Sequence, residues 1–172
     1  MGAKDHAERA DREIPSATCA ILTVSDTRTP ETDESGQKAY EILTKYGHTV
    51  ADHRIVRNDR KAIAEAVETA LKRGADFVLT IGGTGLSKRD VTVEAVRGLM
   101  EKELPGFGEM FRMMTAREIG TAMILTRAVL GSTADGKLVA ATPGSPAAVR
   151  MALEDILMNE LKHLLWELKR HA

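Results

Sequence analysis

Residues 77–90 read F-V-L-T-I-G-G-T-G-L-S-K-R-D, and no other stretch restricts the folds open to this 172-residue chain so tightly. The apolar run 77–81 predicts a buried strand. Gly82, Gly83 and Gly85 end it around Thr84, and a helical pattern resumes at Thr92. Three glycines at a strand-to-helix turn let the backbone approach a ligand closely and aim its N–H groups outward. The next helix N-terminus adds partial positive charge, which suits a phosphate or another anion. Lys88 and Arg89 bring cations to the same turn, and Asp90 brings a carboxylate able to hold a metal beside a phosphate. The plainer alternative is a tight turn with solvated charges. Two phosphate motifs are excluded. Five residues beyond Gly82 and Gly83 stand Ser87 and Lys88, so there is no Walker A loop, and Lys88 occupies the place of the third glycine of a dinucleotide fingerprint.

The same alternation runs through the chain. A charged segment, 1–16, precedes an apolar strand at 17–24 that ends in Ser25-Asp26-Thr27. Ala39, Leu43 and Tyr46 then share a helical face up to Gly47. A second strand covers about 49–56, and a helix carrying Ile63, Val67, Ala70 and Leu71 stops at Gly74. After the glycine turn come a helix near 92–102, a break at 104–108 and a Met-rich helix from Glu109. Strands at 126–130 and 138–142 around Asp135-Gly136 predict a hairpin. Pro143-Gly144-Ser145-Pro146 opens a last, long helix with an apolar stripe from Val149 to Leu168. The expectation is an α/β fold with a mostly parallel sheet covered on both faces and a small β-hairpin. Ligands of such sheets bind beyond the carboxyl ends of the strands, where three unusual loops lie: 25–27, 82–85 and 143–146.

Composition narrows the function. A net charge of −1 gives no bulk attraction to nucleic acid or an anionic membrane, and 3% aromatic residues leave too few rings for a base-stacking platform. No run of about 18 apolar residues exists to span a membrane, and the first fifteen residues lack the apolar core of a signal peptide, so a cytoplasmic location is expected. Cys19, the sole cysteine, lies in an apolar run and reads as an inert buried thiol. His6, His48, His53, His163 and His171 are scattered without metal-ligand spacing, so no zinc site is expected.

The order of motifs is distinctive: S-D-T after the first strand, Asp59 before a helix, T-I-G-G-T-G with K-R-D-V-T, P-G-F-G-E at 105–109 and P-G-S-P at 143–146. Together, from about Ala17 to Leu168, they resemble the MoaB/MogA family of molybdenum-cofactor biosynthesis proteins, also seen in gephyrin. The resemblance implies a three-layer α/β/α sandwich for 17–172, with 1–16 an arm outside the shared motifs. It implies Mg²⁺-dependent transfer of AMP from ATP to the terminal phosphate of molybdopterin, with Asp59 and Asp90 as the essential acidic pair and as ligands of Mg²⁺. Ser25, Asp26, Thr27, Gly82, Gly83, Thr84, Gly85, Pro143, Gly144 and Ser145 would line the substrate and nucleotide site. Family members assemble as trimers or hexamers, and hand-off to a metal-insertion protein is a further implied partnership.

Alternatives stay open. Asp59 and Asp90 are both placed to cap helices, although position 62 is Ala and lacks the partner of a capping box. Glu109 is placed either to contact ligand or to complement its own helix dipole. A non-catalytic molybdopterin-binding or carrier protein of the same family is the competing function, and a related domain with another substrate, as in the competence-damage proteins, is a third. Molybdenum and tungsten pathways are not distinguished by these residues.

Overall fold

A computed structural model of the chain describes residues 3–170. Met1 and Gly2, at the tip of the segment read as an arm, and His171 and Ala172 lie outside the described residues. In chain order the elements are α1 (Ala3–Glu13), β1 (Thr18–Val24), α2 (Glu34–Lys45), β2 (Thr49–Val56), α3 (Arg60–Lys72), β3 (Phe77–Ile81) and α4 (Thr92–Arg97). There follow β4 (Lys102–Glu103), α5 (Pro105–Ile119), β5 (Val129–Ser132), β6 (Leu138–Thr142), α6 (Pro146–Arg150) and α7 (Leu161–Lys169).

The six strands form one sheet in the order β2-β1-β3-β6-β5-β4. The first four run parallel, β5 returns antiparallel to β6, and β4 pairs antiparallel with β5. Side chains alternate across the sheet with the period of two that a strand imposes. Cys19, Ile21, Phe77, Leu79 and Leu138 pack on one face with Ala10, Leu43, Phe111, Val149 and Leu161 from α1, α2, α5, α6 and α7. Ala20, Leu22, Val78 and Val139 pack on the other with Ile63, Val67, Val93 and Val96 from α3 and α4. The result is the expected three-layer sandwich. Within it Cys19 is fully buried, and burial, with the nearby Asp76 carboxylate, pushes its thiol up to about 12. No helix among the described residues is long and apolar enough to cross a membrane.

Five elements differ from the sequence expectation. Helix α5 begins at Pro105, within the stretch 104–108 read as a break, because proline suits the first helical turn. The charged segment 3–13 is helical and docks through Ala10, the following Ile14, and a 2.7 Å hydrogen bond from Trp166 Nε1 to Glu13. The helix expected over 92–102 ends at Arg97, and Lys102–Glu103 becomes a two-residue edge strand, short and charged as exposed edges usually are. Strand β5 starts at Val129, because Arg127 turns toward the glycine loop instead of pairing. The last helix is not continuous: a π segment, Met151–Ile156, and a 3₁₀ turn, Leu157–Asn159, separate α6 from α7. Buried Val149, Leu153, Leu157, Leu161 and Leu165 recur every fourth residue. In a straight α-helix each such step rotates the stripe by about 40°. The wider π turn brings the four-residue repeat back toward the sheet.

Candidate functional site at the carboxyl ends of the parallel strands

The connection from β1 to β2 and the step from β2 to β3 leave β1 in opposite directions across the sheet, with α2 on one face and α3 on the other. Such a reversal opens a crevice at the strand ends. The loops after β1, β2, β3 and β6 all emerge there.

Side chains tie these loops together. Asp26 accepts the Asn58 N–H at 3.0 Å and pairs with the Arg89 guanidinium at 2.9 Å, joining the loops after β1, β2 and β3. The Asn58 amide first, and Arg89 with it, hold the exposed Asp26 carboxyl below its usual range. Ser25 accepts the N–H groups of Thr27 and Arg28 at 3.2 and 3.0 Å and so closes the first loop. Arg28 and Ser35 both donate to the carbonyl of Gly144, at 3.3 and 2.6 Å, which secures the loop after β6. Ser145 caps α6 by accepting the Ala148 N–H at 3.1 Å, with Pro146 in the first helical position and Pro143 between β6 and Gly144. Gly82 and Gly144 approach so closely that a Cβ on Gly144 would stand 3.3 Å from the Gly82 Cα.

Arg127 fastens the glycine loop. Its guanidinium donates to the carbonyls of Thr84 at 2.9 Å, Gly85 at 2.7 Å and Asp90 at 3.3 Å, and pairs with Glu94. Arg127 is also the main reason the Glu94 carboxyl lies below its usual range. With these carbonyls engaged by the guanidinium, the loop is organised around a partly buried cation. Gly83 has φ +64°, and a methyl group there would clash with Thr92 Oγ1 and sit 3.1 Å from Asn58 Oδ1. Gly83→Ala is therefore expected to lower stability and to weaken anion binding at least about tenfold, about 1.4 kcal/mol. Calorimetry with ATP and a thermal melt check both effects.

The two aspartates are not equivalent. Asp59 is the N-cap of α3, its Oδ1 accepting the Ala62 N–H at 2.9 Å, and it is exposed. Asp90 caps no helix: the N-cap of α4 is Val91, without a side-chain bond, while Asp90 Oδ2 accepts the Ser87 N–H at 3.0 Å within the glycine loop. Asp90 also lies against Gly85, where an added Cβ would meet Oδ2 at 2.7 Å. Three buried oxygens at these strand ends, Asn58 Oδ1, Thr92 Oγ1 and Thr142 Oγ1, find no partner among the described residues, which is uncommon away from ligand sites. Glu109 stands elsewhere, exposed and fifth in α5 rather than in its first turn, and makes no hydrogen bond to these loops among the described residues.

Sequence reasoning misses Arg28, Asp33, Ser35, Asn58 and Arg127. Asp33 is 3% exposed and supports Arg28 from below. Burial alone would raise its carboxyl, but Thr23 Oγ1 at 2.7 Å, the Gly36 N–H at 3.0 Å and His53 together bring it below the usual carboxylate range. A lowered folded-state pKa stabilises fully above the ordinary value and is lost as pH falls through the lowered one. Asp33→Asn is thus expected to cost about 2 kcal/mol at neutral pH. It should also flatten the loss of stability below about pH 4. Urea melts at the two pH values check this.

A doubly covered, mostly parallel sheet with a crevice at its switch point, flanked by Lys88 and Arg89, defines the class: an α/β protein of the kind that takes small molecules at its strand ends. Comparison with known proteins makes this specific. A family model described as "Probable molybdopterin binding domain" matches residues 20–163. Molybdenum cofactor biosynthesis protein B of Bacillus anthracis is 46% identical over 172 residues, covering 99% of each chain. A crystal structure of a molybdenum cofactor biosynthesis protein B superposes with a TM-score of 0.87 at 46% identity, covering 90% of this chain and 97% of that one. The tungsten cofactor synthesizing protein MoaB from Pyrococcus furiosus superposes with a TM-score of 0.83 at 36% identity, over 91% and 99% of the two chains. The chain belongs to the MoaB/MogA family of molybdenum-cofactor biosynthesis proteins.

Proposed function

We propose that, within the biosynthesis of a molybdenum or tungsten cofactor, this chain transfers AMP from ATP to the terminal phosphate of molybdopterin. A terminal phosphate oxygen attacks the α-phosphorus of ATP; the new P–O bond forms as the bond to the β-phosphate oxygen breaks, and pyrophosphate leaves. The observation that carries the reading is Asp90, a carboxylate built into the glycine loop where it serves no helix as a cap.

The protein's part is alignment and charge balance. Amides of Gly83 and Gly85 hold one phosphoryl group, while the Gly82 N–H stays on the Thr142 carbonyl at 2.9 Å, and Lys88 and Arg89 offset the charge of the other. The residues suit Mg²⁺, which takes oxygen donors and needs only one or two carboxylates when phosphates complete its shell. Asp90 and Asp59 would hold it, beside Asn58 Oδ1 and Thr92 Oγ1, which have no partner among the described residues. Bound there, Mg²⁺ supplies the positive charge that lets two polyanions meet. Purified protein given ATP, molybdopterin and Mg²⁺ is expected to form adenylylated molybdopterin and pyrophosphate in equal amounts. The carrier reading draws on Asp59, whose Oδ1 is engaged as a cap; molybdopterin binding without pyrophosphate release would establish it.

The working form in this proposal is a homo-oligomer built on a trimer. Within the Met-rich segment Phe111 turns into the core, whereas Met110, Met113, Ile119, Ile124 and Leu125 are between 49% and 75% exposed. So many large apolar groups on α5 and the 3₁₀ segment after it suit burial against another copy. Light scattering at micromolar concentration is expected to return a multiple of three times the 18.7 kDa chain mass, and a monomer mass would refute it.

A further inference from the structure

The histidines look unrelated along the chain, yet the fold brings His6 from α1 against His163 from α7. His6 Nδ1 and His163 Nε2 each lie 3.7 Å from the same oxygen, Glu167 Oε1. This is the sole place among the described residues where three or more His, Cys, Asp or Glu ligand atoms gather within 4.8 Å of one another. We infer that His6, His163 and Glu167 form a binding site for one divalent first-row transition-metal ion, of the zinc type, which clips the N-terminal helix to the C-terminal helix.

The donor set decides the class of ion. Two imidazoles and one carboxylate suit Zn²⁺, Co²⁺, Ni²⁺ or Cu²⁺, whereas Mg²⁺ and Ca²⁺ take oxygen shells. Neighbouring ligand atoms on a tetrahedral zinc stand about 3.3 Å apart, so the two 3.7 Å separations need to close by only a few tenths of an ångström. His163 and Glu167 are one helical turn apart and share a face of α7. On the far side of the His163 ring, Nδ1 lies 3.2 Å from Glu160 Oε2, a carboxylate that orients the imidazole and leaves Nε2 facing Glu167. Such an outer partner is the usual companion of a metal-binding histidine. The three side chains are 25%, 26% and 36% exposed, so an ion and a completing water can reach them.

Arg170 is the competitor. Its guanidinium lies 3.1 Å from Glu167 Oε1 and stacks over Trp166, and an arriving ion exchanges one cation for another on that carboxylate. Among the described side chains, α1 is otherwise held on α7 by Glu13 on Trp166 and by a 3.2 Å ion pair between Asp11 and Lys162, with Ala10 and Ile14 beneath. A metal bond between His6 and α7 would add a tie nearer the start of α1 than Ala10, Asp11 and Glu13 provide.

Tag-free full-length protein titrated with Zn²⁺ by calorimetry is expected to bind one ion per chain, with His6→Ala and His163→Ala each weakening binding at least tenfold. The doubly substituted Asp59→Asn, Asp90→Asn protein should bind zinc like the parent, which separates this site from the crevice at the strand ends. Trp166, the single tryptophan, has its ring centroid 5.4 Å from that of His6 and 6.4 Å from that of His163. Cu²⁺ should therefore quench its fluorescence in the parent and not in either histidine variant. Zinc should also raise the melting temperature of the parent and slow amide exchange in α1. Equal zinc affinity in the parent and both histidine variants, or no binding at all, overturns the inference. Binding lost in His163→Ala but kept in His6→Ala overturns the clip between the two helices.

Discussion

Asp90→Asn and Asp59→Asn are each expected to lower adenylyl transfer by about a hundredfold or more, on the order of 3 kcal/mol of transition-state stabilisation, with melting temperatures close to the parent's. The structure makes these clean substitutions. Asn at position 59 keeps an oxygen for the Ala62 N–H and caps α3 about as well as Asp does. Asn at position 90 likewise keeps an acceptor for the Ser87 N–H. What each loses is the charge that opposes Mg²⁺ in the proposed reaction. Steady-state assays of pyrophosphate release, paired with thermal melts, check the result. Parental rates in both variants would leave Asp59 as a helix cap and Asp90 as a loop brace, and would end the proposed mechanism.

Arg127→Met should be the more damaging change to the fold. It leaves the carbonyls of Thr84, Gly85 and Asp90 and the Glu94 carboxylate without the one cation that meets them all. Removing one partner from such a partly buried network costs about 3 kcal/mol. For a chain of this size that is a fall of about 8 °C in melting temperature. Anion binding should weaken with it, because the glycine loop loses its underlying support. Arg127→Lys is not expected to rescue either property, since an ammonium cannot span three carbonyls and a carboxylate at once. Melting curves and ATP calorimetry on both variants test this, and a parental melting temperature for Arg127→Met would show that the loop holds its shape unaided.

Much of this arrangement is legible in the sequence, and the missing parts have a common cause. Each parallel strand is an apolar run followed by a loop of Gly, Asp, Ser or Pro, so looking past strand ends finds residues 25–27, 59, 82–85 and 143–145. Strand β5 runs the other way, so the residues at the same edge of the sheet precede it. Arg127 stands there, where such a search does not look. Asp33 is hidden differently: along the chain it is an ordinary helix cap, and only the fold sets Thr23 and His53 beside it. Asp59 and Asp90 read alike in the sequence, and the capping geometry alone tells them apart. The break in the last helix is present as a four-residue repeat, but a stripe of leucines reads first as one amphipathic helix. His6 and His163 sit near opposite ends of the chain, a separation that spacing rules for metal ligands do not cover.

The hollow of about 210 Å³ beside the Pro143–Ser145 loop has Ile119 and Thr126 in its wall, and Ile119 also belongs to the exposed apolar ledge of α5. One side chain thus serves two surfaces. If a second copy covers that ledge, its contact with Ile119 and a ligand's contact with the hollow become thermodynamically reciprocal, each altering the free energy of the other by the same amount. Dilution would then change ligand affinity, and saturating ligand would change the association constant between subunits. Ile119 is the hinge of that exchange.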